Sequence, residues 1–151
     1  MTKSHFSIIL PTHKRPDTVQ RAIESVVKQT YADWQLILII DDNSSDYSAI
    51  EKFTNNNKIT VLKNKQNIGK NASLNQALNL LKENNYQGYL VFLDDDDWLA
   101  IDCLETFKEV IEKNPAQNWF VSQRVNSLTK GPFTINNTGR DIIRYQSDML
   151  I

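Results

Sequence analysis

The chain has one cysteine, a formal net charge of −1 and no long apolar run, and each shortage excludes something. A lone thiol, Cys103, cannot form an intrachain disulfide and suits a reducing compartment, where its simplest role is that of a small core residue. A near-neutral chain has no overall positive field to draw in nucleic acid or an anionic membrane, which argues against a nucleic-acid partner. The opening "MTKSHFSIIL" meets Pro11 and the polar "THKR" at once, so it reads neither as a signal peptide nor as a spanning helix. The expectation is a cytoplasmic chain without a transmembrane segment. No G-x-G-x-x-G follows the first apolar run and no G-x-x-x-x-G-K-[ST] occurs anywhere, which removes the main support for dinucleotide-binding and P-loop readings.

The 151 residues suit one domain, and 40% apolar with 23% charged content is ordinary for a globular protein able to bury a core. "FSIIL" (6–10) and "QLILII" (35–40) are short, β-branched-rich runs ended by polar loops, as expected for strands buried on both faces of a parallel sheet. Between them Pro16 and Asp17 give a helix start, and Val19, Ala22, Ile23, Val26 and Val27 share one helical face. The pattern recurs. A short helix through Ala49, Ile50 and Phe53 precedes a strand at 58–63, and a longer helix through Leu74, Ala77, Leu78 and Leu81 precedes a strand at 89–93. A helix through Cys103, Leu104, Phe107, Val110 and Ile111, closed by Pro115, leads to a last strand at 119–125. This alternation predicts an α/β fold, a three-layer α/β/α sandwich with a mainly parallel sheet and right-handed crossovers.

"VFLDDDDWL" (91–99) sets four consecutive aspartates against an apolar strand. Carboxylates about 5 Å apart repel by roughly 1 kcal/mol in water and about 3 kcal/mol at an effective dielectric of 20, so water or a bound charge must offset them. Two readings stand: a solvated turn in which one aspartate caps the next helix, or a site for a divalent cation. In parallel α/β sheets ligands bind beyond the carboxyl ends of the strands. Here four such ends carry "PTHKRPD" (11–17), "DDNSSD" (41–46), "NKQNIGKN" (64–71) and "DDDD" (94–97). Four polar loops on one edge favour a single site. Mg²⁺ or Mn²⁺ held by one or two carboxylates plus substrate phosphates fits them, with His13, Lys14, Arg15, Lys65 and Lys70 available to face a diphosphate or simply to be solvated.

"FSIILPTHKR" (6–15), "SVVKQTYADWQLILIIDDNSSD" (25–46), "NIGKNASLNQAL" (67–78) and "FLDDDDWL" (92–99), in this order and spacing, resemble the N-terminal half of the family 2 glycosyltransferases, from residue 6 to about residue 112. The resemblance implies the GT-A, nucleotide-diphospho-sugar transferase-like fold and a glycosyltransferase dependent on a nucleotide-sugar donor, usually inverting. It places Pro11 and Thr12 along the nucleotide pocket through their backbone. Asp42 would accept hydrogen bonds from the base, with Asp41 beside it, and Arg15 and Lys70 join the donor-contacting set. The family's Asp-x-Asp motif falls on Asp94, Asp95 and Asp96, followed by Asp97. Asp96 and Asp97 are the first candidates for the metal, with Asp94 as a third ligand or a ribose contact; its simpler reading is a helix cap. Asp95 is grouped with the donor contacts, a solvated spacer being its simpler reading. Trp98 reads as a packing anchor opening a helix or as an apolar pocket wall. Tyr31 and Trp34 read as core, and Gln29 and Thr30 as structural hallmarks closing the first helix. Many relatives carry a basic residue where this chain has Leu74, before Asn75.

The cofactors implied are Mn²⁺ or Mg²⁺ and a nucleotide sugar, with a UDP-sugar favoured. The implied acceptor is a sugar or a lipid-linked glycan in cell-surface polysaccharide or lipopolysaccharide synthesis, at the inner face of the cell membrane. Relatives usually supply the general base from an acidic pair beyond the donor half. Here only Asp141 and Asp148 follow Glu112 as carboxylates, so they are the catalytic candidates, in no motif of their own. The expected division is a donor-binding core over 1–125 and the start of an acceptor-side region over 126–151. The chain is then expected to bind donor without efficient transfer. Two other classes remain open at this point: a nucleotide-sugar-binding module without transfer, and a receiver-like phosphoacceptor domain, although in receivers the acidic pair should follow the first strand rather than the second.

Overall fold

A computed structural model describes residues 5–116, 120, 122–126 and 143–147. In chain order the elements are β1 (Phe6–Thr12), α1 (Pro16–Val27), β2 (Trp34–Ile40), a 3₁₀ turn (Ser48–Ile50) running into α2 (Glu51–Thr54), β3 (Ile59–Lys63), α3 (Lys70–Glu83), β4 (Tyr89–Phe92), β5 (Asp97–Leu99), α4 (Cys103–Lys113), β6 (Ser122–Asn126) and β7 (Ile143–Ser147).

The main sheet is all parallel, in the order β3-β2-β1-β4. β1 lies in register with β2 from Phe6 opposite Trp34 to Thr12 opposite Ile40. Because strand side chains alternate, each strand feeds two cores. Phe6, Ile8 and Leu10 of β1 join Leu36, Leu38 and Ile40 of β2 on the face covered by α1 and α4, where Val19, Ile23, Leu104 and Ile111 meet them. Ile9, Ile37 and Ile39 point the other way, onto Ala77 and Leu81 of α3. This is the three-layer arrangement expected. The strand order 3-2-1-4 is that of the first half of a doubly wound sheet; a receiver has the order 2-1-3-4-5, so the receiver reading falls.

Several local expectations change. Trp98 does not open a helix. It is the middle residue of β5, which pairs antiparallel with β7, and α4 begins only at Cys103, after Asp102 in the N-cap position without a side-chain cap. Asp94 therefore caps no helix. The residues between the acidic run and α4 are too few and too constrained by the β5–β7 ladder to begin a helix earlier. Val27, expected on the buried face of α1, is exposed, because the helix ends there and the chain turns toward β2. The strand expected at 119–125 is found as β6 at Ser122–Asn126, parallel to β7 in a separate three-stranded sheet ordered β5-β7-β6. Cys103 is buried, and desolvation pushes its thiol up to about 12, consistent with a purely structural residue. No helix among the described residues is long and apolar enough to cross a membrane.

Candidate functional site

Parallel strands deliver their carboxyl ends to one edge, and there the loops after β1, β2 and β3 and the acidic loop after β4 enclose an open cleft of about 410 Å³. Pro11 and Thr12 come from the end of β1, His13 and Arg15 from the loop after it, Asp41 from the second loop, Asn67 and Gly69 from the third with Lys70 at the start of α3, and Asp94, Asp95 and Asp96 from the fourth. The expected donor-contacting residues thus gather in one place, apart from Asp42, which lies behind the wall. Lys14 and Lys65 do not line the cleft. Asp141 and Asp148 lie outside the described residues.

The second loop is built from carboxylates saturated by amides. Asp41 accepts from Asn64 Nδ2 (2.8 Å) and the Ile68 amide (2.9 Å) at Oδ1 and from the Gly69 amide (2.8 Å) at Oδ2. Burial raises its pKa, but these donors outweigh burial and leave the net shift downward. Asp42 accepts from the Ser44 and Ser45 amides at 2.9 and 2.8 Å, the Lys14 amide at 3.0 Å and the Tyr47 hydroxyl at 2.8 Å. Desolvation again opposes ionisation and the four donors again outweigh it, holding Asp42 far below the usual carboxylate range. A carboxylate offers about four lone-pair sites. All four are engaged in Asp42, so a hydrogen bond to a nucleotide base there requires one of these donors to leave.

These contacts also explain the shape of the third loop. Gly69 sits at φ +87°, ψ 153°, a region open essentially to glycine alone, which lets its amide reach Asp41 just before α3 begins. The Asn67 side chain accepts from the same Gly69 amide through Oδ1, so its Nδ2 faces His13 Nε2 at 3.1 Å. On the other side His13 Nδ1 lies 2.8 Å from the Asp41 carbonyl oxygen. A carbonyl only accepts, so Nδ1 carries the proton and Nε2 accepts from Asn67 in a neutral ring.

The acidic loop is held from below and from the front. From below, Thr12 Oγ1 donates to Asp95 Oδ2 at 2.8 Å. Asp95 is therefore buried and bound and is no solvated spacer. From the front, Arg15 Nη1 reaches Asp95 Oδ1 at 3.1 Å and Asp96 Oδ2 at 2.9 Å, and Lys70 Nζ pairs with Asp94 Oδ1. The Asp97 amide donates to the Asp94 carbonyl at 3.1 Å, closing a turn. That turn folds Asp94, Asp96 and Asp97 back on one another until a carboxylate oxygen from each lies within 4.8 Å of the others. Three convergent hard oxygen donors match Mg²⁺ or Mn²⁺ rather than a thiophilic ion.

Some of the support is not evident from motif spacing. Arg21 on α1 lies over the Trp98 ring at 4.0 Å and donates from Nη2 to the Asp96 carbonyl at 3.2 Å, which makes Trp98 part of the buttress of the acidic loop. Gln29 donates to the Ser25 and Ala100 carbonyls at 3.0 and 2.6 Å and accepts from the Leu104 amide at 2.9 Å, while Ser25 Oγ accepts from the Leu99 amide at 3.0 Å. The end of α1 thus grips the chain from Leu99 to Leu104. Asn64, too, is a supporting residue, donating from Nδ2 to Asp41 Oδ1 at 2.8 Å and to Ser73 Oγ at 3.2 Å. Its sequence signal was its position directly after β3, on the edge where the other loops gather.

Residues 7–148 match the family described as Glycosyl transferase family 2. The chain belongs to glycosyltransferase family 2. Among curated members it is 36% identical over 96 residues to the UDP-Glc:alpha-D-GlcNAc-diphosphoundecaprenol beta-1,3-glucosyltransferase WfgD of Escherichia coli, an alignment covering 62% of this chain and 36% of that protein. Among solved structures it resembles S. aureus TarS 1-349 in complex with UDP, with TM-score 0.63, 20% identity, and coverage of 81% of this chain and 35% of that one. It also resembles the mannosyltransferase PcManGT from Pyrobaculum calidifontis, solved with GDP-Man and Mn²⁺, with TM-score 0.60, 17% identity, and coverage of 82% and 36%. The two structural likenesses show the GT-A glycosyltransferase fold. The family 2 chain described here spans between a third and a half of the length of these relatives.

Proposed function

We propose that this chain forms the donor-binding part of a metal-dependent, inverting glycosyltransferase that uses a UDP-sugar and acts in cell-surface polysaccharide synthesis at the inner face of the membrane. The observation that carries this reading is the convergence of the Asp94, Asp96 and Asp97 oxygens within 4.8 Å, with Asp94 and Asp96 lining the same cleft as two cations, Arg15 and Lys70. Asp96, Asp97 and Asp94 hold a Mn²⁺ or Mg²⁺ ion. Such an ion supplies Lewis-acid stabilisation of the charge that develops on a departing diphosphate.

The chain's own groups do the rest. Arg15 and Lys70 face the diphosphate from the first and third loops. Pro11 and Thr12 line the nucleotide side of the cleft, and the Asp41 and Asp42 loop, locked by its amides, forms its rigid wall. Inversion requires a carboxylate that deprotonates the acceptor hydroxyl as it attacks the anomeric carbon. Asp141 and Asp148 are the candidates in this chain. The uridine preference is supported by the names of the WfgD relative and of the TarS complex, the metal by the PcManGT complex, and a lipid-linked glycan acceptor by WfgD.

The test is thermal denaturation with a panel of nucleotides and nucleotide sugars, in Mn²⁺, in Mg²⁺ and in EDTA. UDP or a UDP-sugar is expected to stabilise the chain more with the ion, approaching about 2.7 kcal/mol at 100 times Kd. Equal stabilisation in EDTA defeats the metal assignment. A response confined to other nucleotides defeats the choice of uridine.

A further inference from the structure

The cations and the candidate metal ligands of the cleft occupy each other. Lys70 Nζ is bound to Asp94 Oδ1, and Arg15 Nη1 spans Asp95 Oδ1 and Asp96 Oδ2. Two of the three carboxylates whose oxygens converge are therefore engaged by the two side chains that face the expected diphosphate. A divalent cation and a lysine ammonium cannot share a carboxylate oxygen without strong like-charge repulsion at this range. Both cationic side chains are half-exposed, at 54% for Arg15 and 58% for Lys70, so each has room to move away from the loop toward the cleft.

We infer that Lys70 and Arg15 are built-in counter-ions exchanged during donor binding: they neutralise Asp94 and Asp96 when no metal is present, and metal entry transfers them to the diphosphate. The inference rests on the donor-site reading above and adds regulation to it. Each ligand disrupts the same ion pairs, so whichever binds second finds them already broken. Metal and diphosphate then bind cooperatively, and by linkage each raises the other's affinity by the same factor, typically between about 5- and 150-fold. The device also prevents the acidic loop from holding a cation tightly when no donor is present.

A counter-ion and a strut predict opposite signs. If Lys70 merely holds Asp94 in place, removing it loosens a ligand and weakens metal binding. If it competes with the metal, removing it tightens metal binding and weakens diphosphate binding. The experiment titrates Mn²⁺ into wild type, Lys70→Met and Arg15→Gln, following free Mn²⁺ by electron paramagnetic resonance. UDP and, in a parallel arm, inorganic pyrophosphate are then titrated calorimetrically with and without Mn²⁺. Lys65→Met, which alters an exposed lysine outside the cleft, controls for net charge.

Exchange predicts Mn²⁺ binding severalfold tighter in Lys70→Met and Arg15→Gln, UDP binding severalfold weaker in the presence of Mn²⁺, and a smaller coupling factor measured from either side. Lys65→Met should leave all three unchanged. Weaker or unaltered Mn²⁺ binding in both cleft variants, or an undiminished coupling factor, overturns the inference. Coupling to pyrophosphate without any binding of UDP defeats the nucleotide reading while upholding the exchange. Absence of binding by either defeats both.

Discussion

The hydroxyl of Thr12, at the end of β1, donates to Asp95 Oδ2 from 2.8 Å across a sequence separation of 83 residues. This buried bond ties the end of β1 to the acidic loop after β4, and Asp95 is itself buried. Thr12→Val preserves shape and removes only the donor. Hydrogen bonds to charged groups contribute roughly 1.5–3 kcal/mol, so the variant is expected to lose about that much stability. The check is a lower urea midpoint with an unchanged denaturant slope.

Asp96→Asn and Asp97→Asn are expected to weaken Mn²⁺-dependent UDP binding by at least about tenfold, the low end of what even outer partners of a metal site cost. Asp96 is half-exposed and Asp97 is buried in β5, so Asp96→Asn should leave the melting temperature unchanged or raised as repulsion in the loop is relieved. Asp97→Asn needs the melting curve as its control. Calorimetry with and without Mn²⁺ decides. Unimpaired binding by both variants would remove these residues from the metal assignment.

Acid should destabilise this fold early, through Asp41 and Asp42. Both folded-state pKa values are depressed, because burial opposes the charge but the amide and hydroxyl donors around them favour it more strongly. A depressed carboxylate contributes stability that is complete above its unfolded value near 3.9 and disappears as pH falls through the lower folded value. Unfolding free energy measured from pH 7 downward is therefore expected to begin falling near pH 4. In Asp42→Asn stability at neutral pH should be lower, since the amide sets a donor against donors, and the acid slope should be shallower. An unchanged slope would show that the Asp42 network does not form in solution.

Gln29 joins two helices through three hydrogen bonds. Gln29→Leu keeps the volume and leaves the Ala100 carbonyl and the Leu104 amide without this partner, at an expected cost of about 2–6 kcal/mol from roughly one to three kcal/mol per unsatisfied group. Gln29→Glu retains the acceptor for Leu104 but faces a carboxylate toward the Ala100 carbonyl, and should cost more at neutral pH than at pH 4. Urea unfolding of both variants at the two pH values tests this. Equal stability of the two at neutral pH would contradict the assigned amide orientation.

The strands were legible because parallel β1 and β2 are apolar on both faces, and runs such as Ile8–Leu10 and Leu36–Ile40 have little other use. The edge on which the loops gather followed from that topology alone. Trp98 was misplaced because a tryptophan after an acidic turn carries no local signal for β5; its strand forms only by pairing with residues near 147. Asp95 looked like a spacer for a similar reason, since its partners Thr12 and Arg15 lie about eighty residues earlier, at the end of β1 and in the loop after it. The amide cage around Asp42 was equally hidden, because Lys14, Ser44 and Ser45 contribute backbone donors that no residue-type pattern encodes.

The pairing of Asp97 with Ser147 has a consequence for the order in which the molecule is made. β1 to β4 have all left the ribosome before β7 is synthesised, so the main sheet can collapse while β5 still lacks its antiparallel neighbour. At about 5–20 residues per second, the roughly fifty positions between the two strands mean a delay of some 2.5–10 s. During it the acidic turn has α1 behind it and no strand beside it. The cleft is thus assembled last on a scaffold already in place, and a nascent chain halted before residue 143 should hold a finished sheet around an unfinished mouth.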